Sequence, residues 1–307
     1  MDLIDKVINR WNDCSQAYAD EAESGSLQSA MTLYNLVNAT KAKRIIDAGC
    51  GPGLSSQALV STLMKTNTTL YCLDIAEKMV DMCDCRFRSN DFSKNPDNCY
   101  RRLDYSDVRT TEKLDQVESN SKVGPTGRRV YSMVADVEQM PFPASTFDAY
   151  TANMVLQFTP NYLNMLCEAY RILKSGGKAA FSVWGREENC SFVTFVPDIL
   201  EKHGVRVDPD LDYNFDSLDV EQIIEDAKEL GFKSVKSFNL PSHYSIMSGG
   251  EMWEFLMNSS TRRYLEKIEA STLSKIQEDV IKEFDQRYGE QSEDMISFEV
   301  TIILCSK

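Results

Sequence analysis

Histidine is scarce in this 307-residue chain, with only His203 and His243 present. An imidazole base or ligand must therefore come from one of these two. Basic charge is also short, with 33 Lys and Arg against 47 Asp and Glu, a formal balance of −14. That balance argues against non-specific attraction to nucleic acid or to an anionic membrane and leaves room only for a local basic patch. No uninterrupted apolar run approaches the roughly 18 residues of a membrane span, and none resembles a signal peptide. The opening Met1-Asp2-Leu3-Ile4-Asp5 carries early acids, unlike an Arg-rich transit peptide. The cytoplasm is the default compartment, with the mitochondrial matrix left open because a removed presequence would leave no trace. The nine cysteines are an odd set with no repeated CxxC, which points to reduced thiols. A metal centre on Cys83 and Cys85 would need distant Cys72 or Cys99 and no histidine, so no metal is expected.

What is present is an ordinary core-forming composition, 42% hydrophobic and 26% charged, with room for one elaborated α/β unit. Its organising stretch is Ile45-Ile46-Asp47-Ala48-Gly49-Cys50-Gly51-Pro52-Gly53, an apolar run that ends in an acid and breaks into alternate glycines. Such glycines let a strand turn sharply and bring backbone close to a ligand. A helix over 54–65 is predicted to follow, its N-terminus offering free N–H groups to that ligand. Upstream, Leu3, Ile4, Val7, Ile8 and Trp11 share a helical face, and Met31, Leu33, Leu36 and Val37 mark a second helix. This N-terminal cap, 1–40, is placed over a sheet edge or over the cofactor.

Downstream, Thr69 to Asp74 reads as a strand ending in an acid 21 residues beyond Gly53. A carboxylate there suits the two hydroxyls of a ribose, and it equally suits a helix N-cap. Residues 86–128 read as an irregular polar insertion that decorates the surface, with a short helix near 111–117. Strands at 130–135, 147–152 and 179–184 flank a helix over 160–174 that stops at Gly176-Gly177. Alternating strands and helices predict a parallel sheet covered on both faces, with its ligand beyond the strands' carboxyl ends. A helix over 218–230 and strands at 233–238 and 296–304 complete the sheet, and a helical insert over 240–293 covers the substrate side.

In order, Asp47 to Gly53, Asp74, Ala135-Asp136-Val137-Glu138-Gln139-Met140-Pro141-Phe142, Phe147-Asp148-Ala149 and Leu173-Lys174-Ser175-Gly176-Gly177-Lys178 resemble the motifs of class I S-adenosylmethionine-dependent methyltransferases. The resemblance spans 41–184, the cofactor-binding core. Within the superfamily it is similar to the ubiquinone/menaquinone-biosynthesis C-methyltransferases of the type 11 branch. It implies one methyltransferase unit over 1–307 with a Rossmann-like, seven-stranded, mostly parallel sheet in the order 3-2-1-4-5-7-6, completed by 185–307. A nicotinamide or flavin enzyme is disfavoured: in either register the third glycine position of GxGxxG holds Leu54 or Ser56. A DNA or RNA adenine methyltransferase is disfavoured too, because Asn153-Met154-Val155-Leu156 lacks the [DN]PP[YFW] grip on an amino base.

The resemblance implies S-adenosyl-L-methionine as cofactor. Gly49, Gly51 and Gly53 would shape the methionine pocket, with Asp47 near its cationic end. Asp74 would hold the ribose, with Ile75 and Met79 against the adenine. Asp136 would accept from the adenine amino group beside the Val137 N–H, and Asn153 and Met154 would line the methionyl side. Asp136 can instead cap a turn, and Asn153 can satisfy local backbone. Methyl transfer is an in-line displacement that needs alignment, desolvation and, for some acceptors, proton removal. His243 is the better placed base of the two histidines. Tyr18 and the Trp184-Gly185-Arg186 stretch are candidates to wall the acceptor pocket, with Tyr18 joining His243 in the catalytic set. The expected function is methylation of a small acceptor, quinone-like or aromatic. The alternative is a weak or inactive methyltransferase-fold subunit of a larger assembly, and homo-oligomers are compatible with either.

Overall fold

The computed structural model describes residues 3–89, 91–205, 218–244, 246–258 and 261–307. Eight strands form one sheet: β1 (Arg44–Ala48), β2 (Thr69–Asp74), β3 (Cys99–Arg102), β4 (Arg129–Val134), β5 (Phe147–Asn153), β6 (Leu173–Trp184), β7 (Ser234–His243) and β8 (Ser297–Ser306). Their order is β3-β4-β2-β1-β5-β6-β8-β7. The seven-strand expectation is therefore corrected on count and order, because β3 adds itself at the edge beside β4. Pairing from β3 to β6 is parallel, whereas β8 runs antiparallel to both β6 and β7.

The central strands are apolar on both faces, as a sheet covered on both sides demands; every residue of β2 is buried. One core lies between the sheet and α2 (Leu27–Leu36), α3 (Leu54–Thr62), α8 (Ser191–Lys202) and α12 (Ala270–Tyr288), with Leu33, Leu59, Phe195 and Phe284 at its centre. The other lies on the opposite face beneath α6 (Thr111–Asn120), α7 (Tyr162–Ile172) and α9 (Val220–Glu229), around Tyr71, Phe147, Leu166 and Ile223. α7 starts where the Asn161 side chain accepts from the Leu163 N–H and ends at Ile172. The helix predicted to run to Lys174 stops early because Leu173 is already extended and pairs with Phe147; Gly176, at φ +81°, turns the chain inside β6.

The stretch 86–128 is not irregular. It holds the end of α4 (Glu77–Ser89), the short α5 (Asp91–Lys94), β3 and α6. The Thr110 side chain caps α6 at Lys113 N, and Leu103, Val108, Leu114 and Val117 are buried against the sheet. Arg44 of β1 pairs with Asp115 and Glu118 of α6, and the Tyr71 hydroxyl donates to Glu118. An element this embedded is structural: Leu114→Ala should cost about 2–4 kcal/mol in urea unfolding, whereas surface decoration would lose less than about 0.5 kcal/mol.

Between β7 and β8 the predicted helical insert is α10 (Gly249–Asn258), the short α11 (Arg262–Leu265), and α12. The cap consists of α1 (Leu3–Ala17), a π-helical turn at Tyr18–Ala22, a 3₁₀ turn at Glu23–Ser26 and α2. No helix among the described residues is long and apolar enough to cross a membrane.

Candidate functional site

The carboxyl ends of β1, β2, β4 and β5 open into a cleft of about 660 Å³, roofed by α1 and the π turn. Gly49 and Gly51 from the loop after β1, and Asp74, Ile75 and Met79 from the end of β2 and α4, line its floor. Asp136, Val137 and Glu138 follow β4 on one side, with Asn153, Met154 and Val155 at the end of β5. Val7, Trp11, Tyr18 and Phe158 close it from above. Ten of the thirteen residues singled out from the sequence thus surround one space, and Asp47, Gly53 and His243 do not line it.

The loop owes its path to its glycines. Gly49 sits at φ +73°, and a Cβ there would lie 2.3 Å from Val155 Cγ2, a position only glycine can hold. Its N–H and that of Cys50 both donate to the Leu73 carbonyl, at 2.7 and 2.8 Å, which pins the loop to β2. At Gly51 the nearest atom a Cβ would meet is Tyr18 Cε1 at 3.7 Å, so bare backbone faces the cleft. Gly53 instead caps α3 and packs on Cys83. Cys83 is buried there with Cys50 and Cys72, while Cys85 is exposed.

Asp74 bridges the loop and its own turn, accepting from Gly51 N at 3.0 Å and Ala76 N at 2.9 Å. Burial pushes its carboxyl up to about 6, against those backbone donors, which pull it down. Asp47 lies behind the loop rather than in the cleft: it is 2% exposed and accepts from Tyr34 Oη (2.8 Å), Ser56 and Thr151. It too is raised to about 6 by burial. It braces β1 against α2 and α3, on a strand buried on both faces. Asp136 accepts from the Glu138 N–H at 2.8 Å and so closes a turn while lining the cleft. The Asn153 Oδ1 accepts from Ser29 Oγ (2.7 Å) and Ser182 Oγ (2.8 Å), and its Nδ2 donates to the Ser26 carbonyl. Asn153 thereby ties the cap to the sheet. Met154 holds φ +57°, an uncommon conformation for a side-chain-bearing residue, fixed by N–H donation to Ser182.

The first turn of α3 does not offer its N–H groups freely. Leu54 N donates to Glu23 Oε1 at 2.7 Å, and Glu23 Oε2 pairs with Arg86 at 2.7 Å. An acid from the cap has taken the helix N-terminus predicted for the ligand.

His243 is exposed on β7, whose alternation turns its neighbour Ser242 inward. It borders neither this cleft nor the cavity beside it, which corrects its expected role as base. His203 pairs with Asp279 at 2.8 Å, between α8 and α12. Tyr18 stands between the cleft and that second cavity; burial raises its hydroxyl to about 12, opposed by a hydrogen bond with Ser26. At neutral pH it is a phenol that donates, not a phenolate that takes a proton.

The second cavity, about 1050 Å³, is walled by Trp184, Phe192, Tyr244, Phe255 and Phe298. It shares Trp11, Tyr18, Met154 and Phe158 with the first. Phe192 and Tyr244 stack at 4.0 Å. Of the Trp184-Gly185-Arg186 stretch, only Trp184 reaches it; Arg186 turns away to pair with Glu299 at 2.7 Å and lowers that carboxyl to about 2. Sequence reasoning does not single out Trp11, Phe158, Phe192, Phe255 or Phe298 as wall residues. Among the described residues no group of three His, Cys, Asp or Glu side chains is arranged to hold a metal ion.

Residues 46–181 match a family model described as a methyltransferase domain. An uncharacterized protein of Methanocaldococcus jannaschii is 34% identical over 110 residues, 36% of this chain and 50% of that one. A ubiquinone/menaquinone biosynthesis C-methyltransferase of Rhizobium etli is 46% identical over 44 residues, 14% of this chain and 17% of that protein. The chain spans half or less of the length of these relatives. A Haemonchus contortus phosphoethanolamine N-methyltransferase, solved with S-adenosyl-L-methionine, aligns at 14% identity over 91% of this chain and 52% of that one, TM-score 0.43.

Proposed function

We propose that this chain, whose residues 46–181 match a methyltransferase domain, is a class I S-adenosylmethionine-dependent methyltransferase that methylates a small apolar or aromatic acceptor, in the quinone-like class. The observation that carries this reading is the junction of a glycine-floored cleft, edged by Asp74, Asp136 and Asn153, with an aromatic cavity across Trp11, Tyr18, Met154 and Phe158. A donor laid over Gly49 and Gly51 is proposed to place its ribose at Asp74 and its adenine between Ile75, Met79 and Val137, with Asp136 at the base's amino edge. These residues fit such a group: bare backbone faces the cleft at Gly51, and a carboxylate stands at the β2 end.

When bound, S-adenosylmethionine supplies an activated methyl group on a sulfonium sulfur. The chain's own contribution is alignment and exclusion of water. α1 and the π turn cover the cleft, the aromatic walls orient the acceptor, and the neutral Tyr18 hydroxyl stands at the junction. Among the described residues no imidazole borders either cavity, so the reading assigns no histidine base and suits an acceptor that arrives as an anion or an activated carbon. No observation favours a non-catalytic subunit.

The test is calorimetric binding of S-adenosylmethionine, followed by turnover of a panel of hydroxylated arenes and quinols. Micromolar donor binding and methylation of at least one member are expected; an intact chain that binds no donor sinks the proposal.

A further inference from the structure

The aromatic cavity contains one charged side chain among its described lining residues, Arg10 of α1. Its guanidinium lies 5.9 Å from the Trp11 ring and 5.4 Å from the Phe158 ring, the two aromatics that also border the donor cleft. Other arginines beside the site are committed: Arg86 to Glu23 and Arg186 to Glu299. Arg10 is held only by ring faces, and among the described residues no carboxylate, carbonyl or hydroxyl receives its N–H groups. In a chain of net charge −14, acids to satisfy a stray cation are plentiful, yet none among the described residues reaches this one.

A guanidinium laid on aromatic faces is oriented, weakly hydrated and still able to point its forked donors at an anion. Its fork matches a carboxylate in bidentate fashion. One cation, with no second lysine or arginine on the described walls, balances a single negative charge rather than a phosphate dianion.

Resting on the methyltransferase reading above, we propose that the acceptor is a monoanion, an apolar or aromatic body bearing a carboxylate, and that Arg10 is the residue that selects it. The rings at Trp184, Phe192, Tyr244 and Phe298 take the apolar body, and Arg10 holds the carboxylate beside Trp11 and Phe158.

The experiment titrates naphthalene-2-carboxylate and naphthalene-2-carboxamide, near-isosteric probes that differ in charge, into the full chain with saturating S-adenosylhomocysteine. The parent should prefer the carboxylate by about tenfold or more, the range of a charge-assisted bidentate contact. Arg10→Gln should bring the ratio to about 1, and Arg10→Lys should keep part of it. Unchanged S-adenosylhomocysteine affinity in both variants reports that the fold and the donor cleft are intact. Equal affinities in the parent, a preference that survives Arg10→Gln, or no binding of either probe overturns the assignment. If the carboxylate preference is present and lost in Arg10→Gln while no donor binds, the anion site stands and the methyltransferase reading fails. Donor binding without carboxylate preference means the reverse: the methyltransferase reading stands and the anion site fails.

Discussion

Asp74→Ala is expected to weaken S-adenosylmethionine binding by about 100-fold or more, measured by calorimetry at pH 7.5. Two ribose hydroxyls donating to a carboxylate are charge-assisted bonds worth roughly 1.5–3 kcal/mol each. The same carboxylate also braces Gly51 and Ala76, so its removal loosens the loop that the donor must lie on. Asp74→Asn keeps the shape and one acceptor oxygen and should lose less. The pH dependence separates the charge from the brace. Burial holds the Asp74 carboxyl at about 6, above its usual 3.8, so it protonates as pH falls through 6 and donor affinity should fall with it. In the free protein the sign is opposite: a raised carboxyl binds its proton more readily folded than unfolded, so this group adds stability as pH drops from about 6 toward 4. Asp74→Asn should remove this group's contribution to both trends. Parent-like affinity in Asp74→Ala would take the ribose assignment away from this residue.

The features that were readable in the chain are those written in local pattern. A buried strand that breaks into alternate glycines, and strands that end in Asp74, Asp136 and Asn153, place ligand-facing groups at one end of a parallel sheet whatever the helices do. Strand period was equally available at β7: if Tyr244 faces the core, His243 must face water, and adjacency to an aromatic was the weaker guide. At β1 the run is apolar on both faces, so an acid inside it is enclosed, and Asp47 answers to Tyr34, Ser56 and Thr151.

Most of the aromatic cavity was illegible for a different reason. Its walls come from residues 11, 18, 158, 184, 192, 244, 255 and 298, single aromatics on different elements that only tertiary packing brings together. Tyr18 and Trp184 were open to a wall reading, and the other six read locally as core. β3 escaped notice because Cys99-Tyr100-Arg101-Arg102 is a polar, partly exposed edge strand, and edges are where charged side chains belong. Glu23 escaped because Glu23-Ser24-Gly25-Ser26 has the composition of a loop, and nothing in sequence marks it as partner to a helix start 31 residues away.

That partnership supports the second large effect. Arg86→Ala should destabilise the protein by about 3 kcal/mol at pH 8, because it strands a carboxylate that is 6% exposed beside the N-terminus of α3. Arg86 also donates to the Pro52 carbonyl at 3.0 Å, so the variant frees the glycine loop and the cap together, and donor affinity should weaken with stability. The Glu23 carboxyl is already raised by burial, against the pull of Leu54 N and Arg86. Without Arg86 it rises further, and a raised acid is penalised only where it must be charged. The deficit should therefore be larger at pH 8 and shrink as pH falls toward 5. Glu23→Gln added to Arg86→Ala removes the stranded charge but keeps an acceptor for Leu54 N, so the double variant should recover much of the loss at pH 8 and little at pH 5. Urea unfolding of the parent, Arg86→Ala and the double variant at the two pH values decides it. A deficit independent of pH, or a double variant no more stable than Arg86→Ala, would mean that the cap is held by its apolar contacts and the buried pair is incidental.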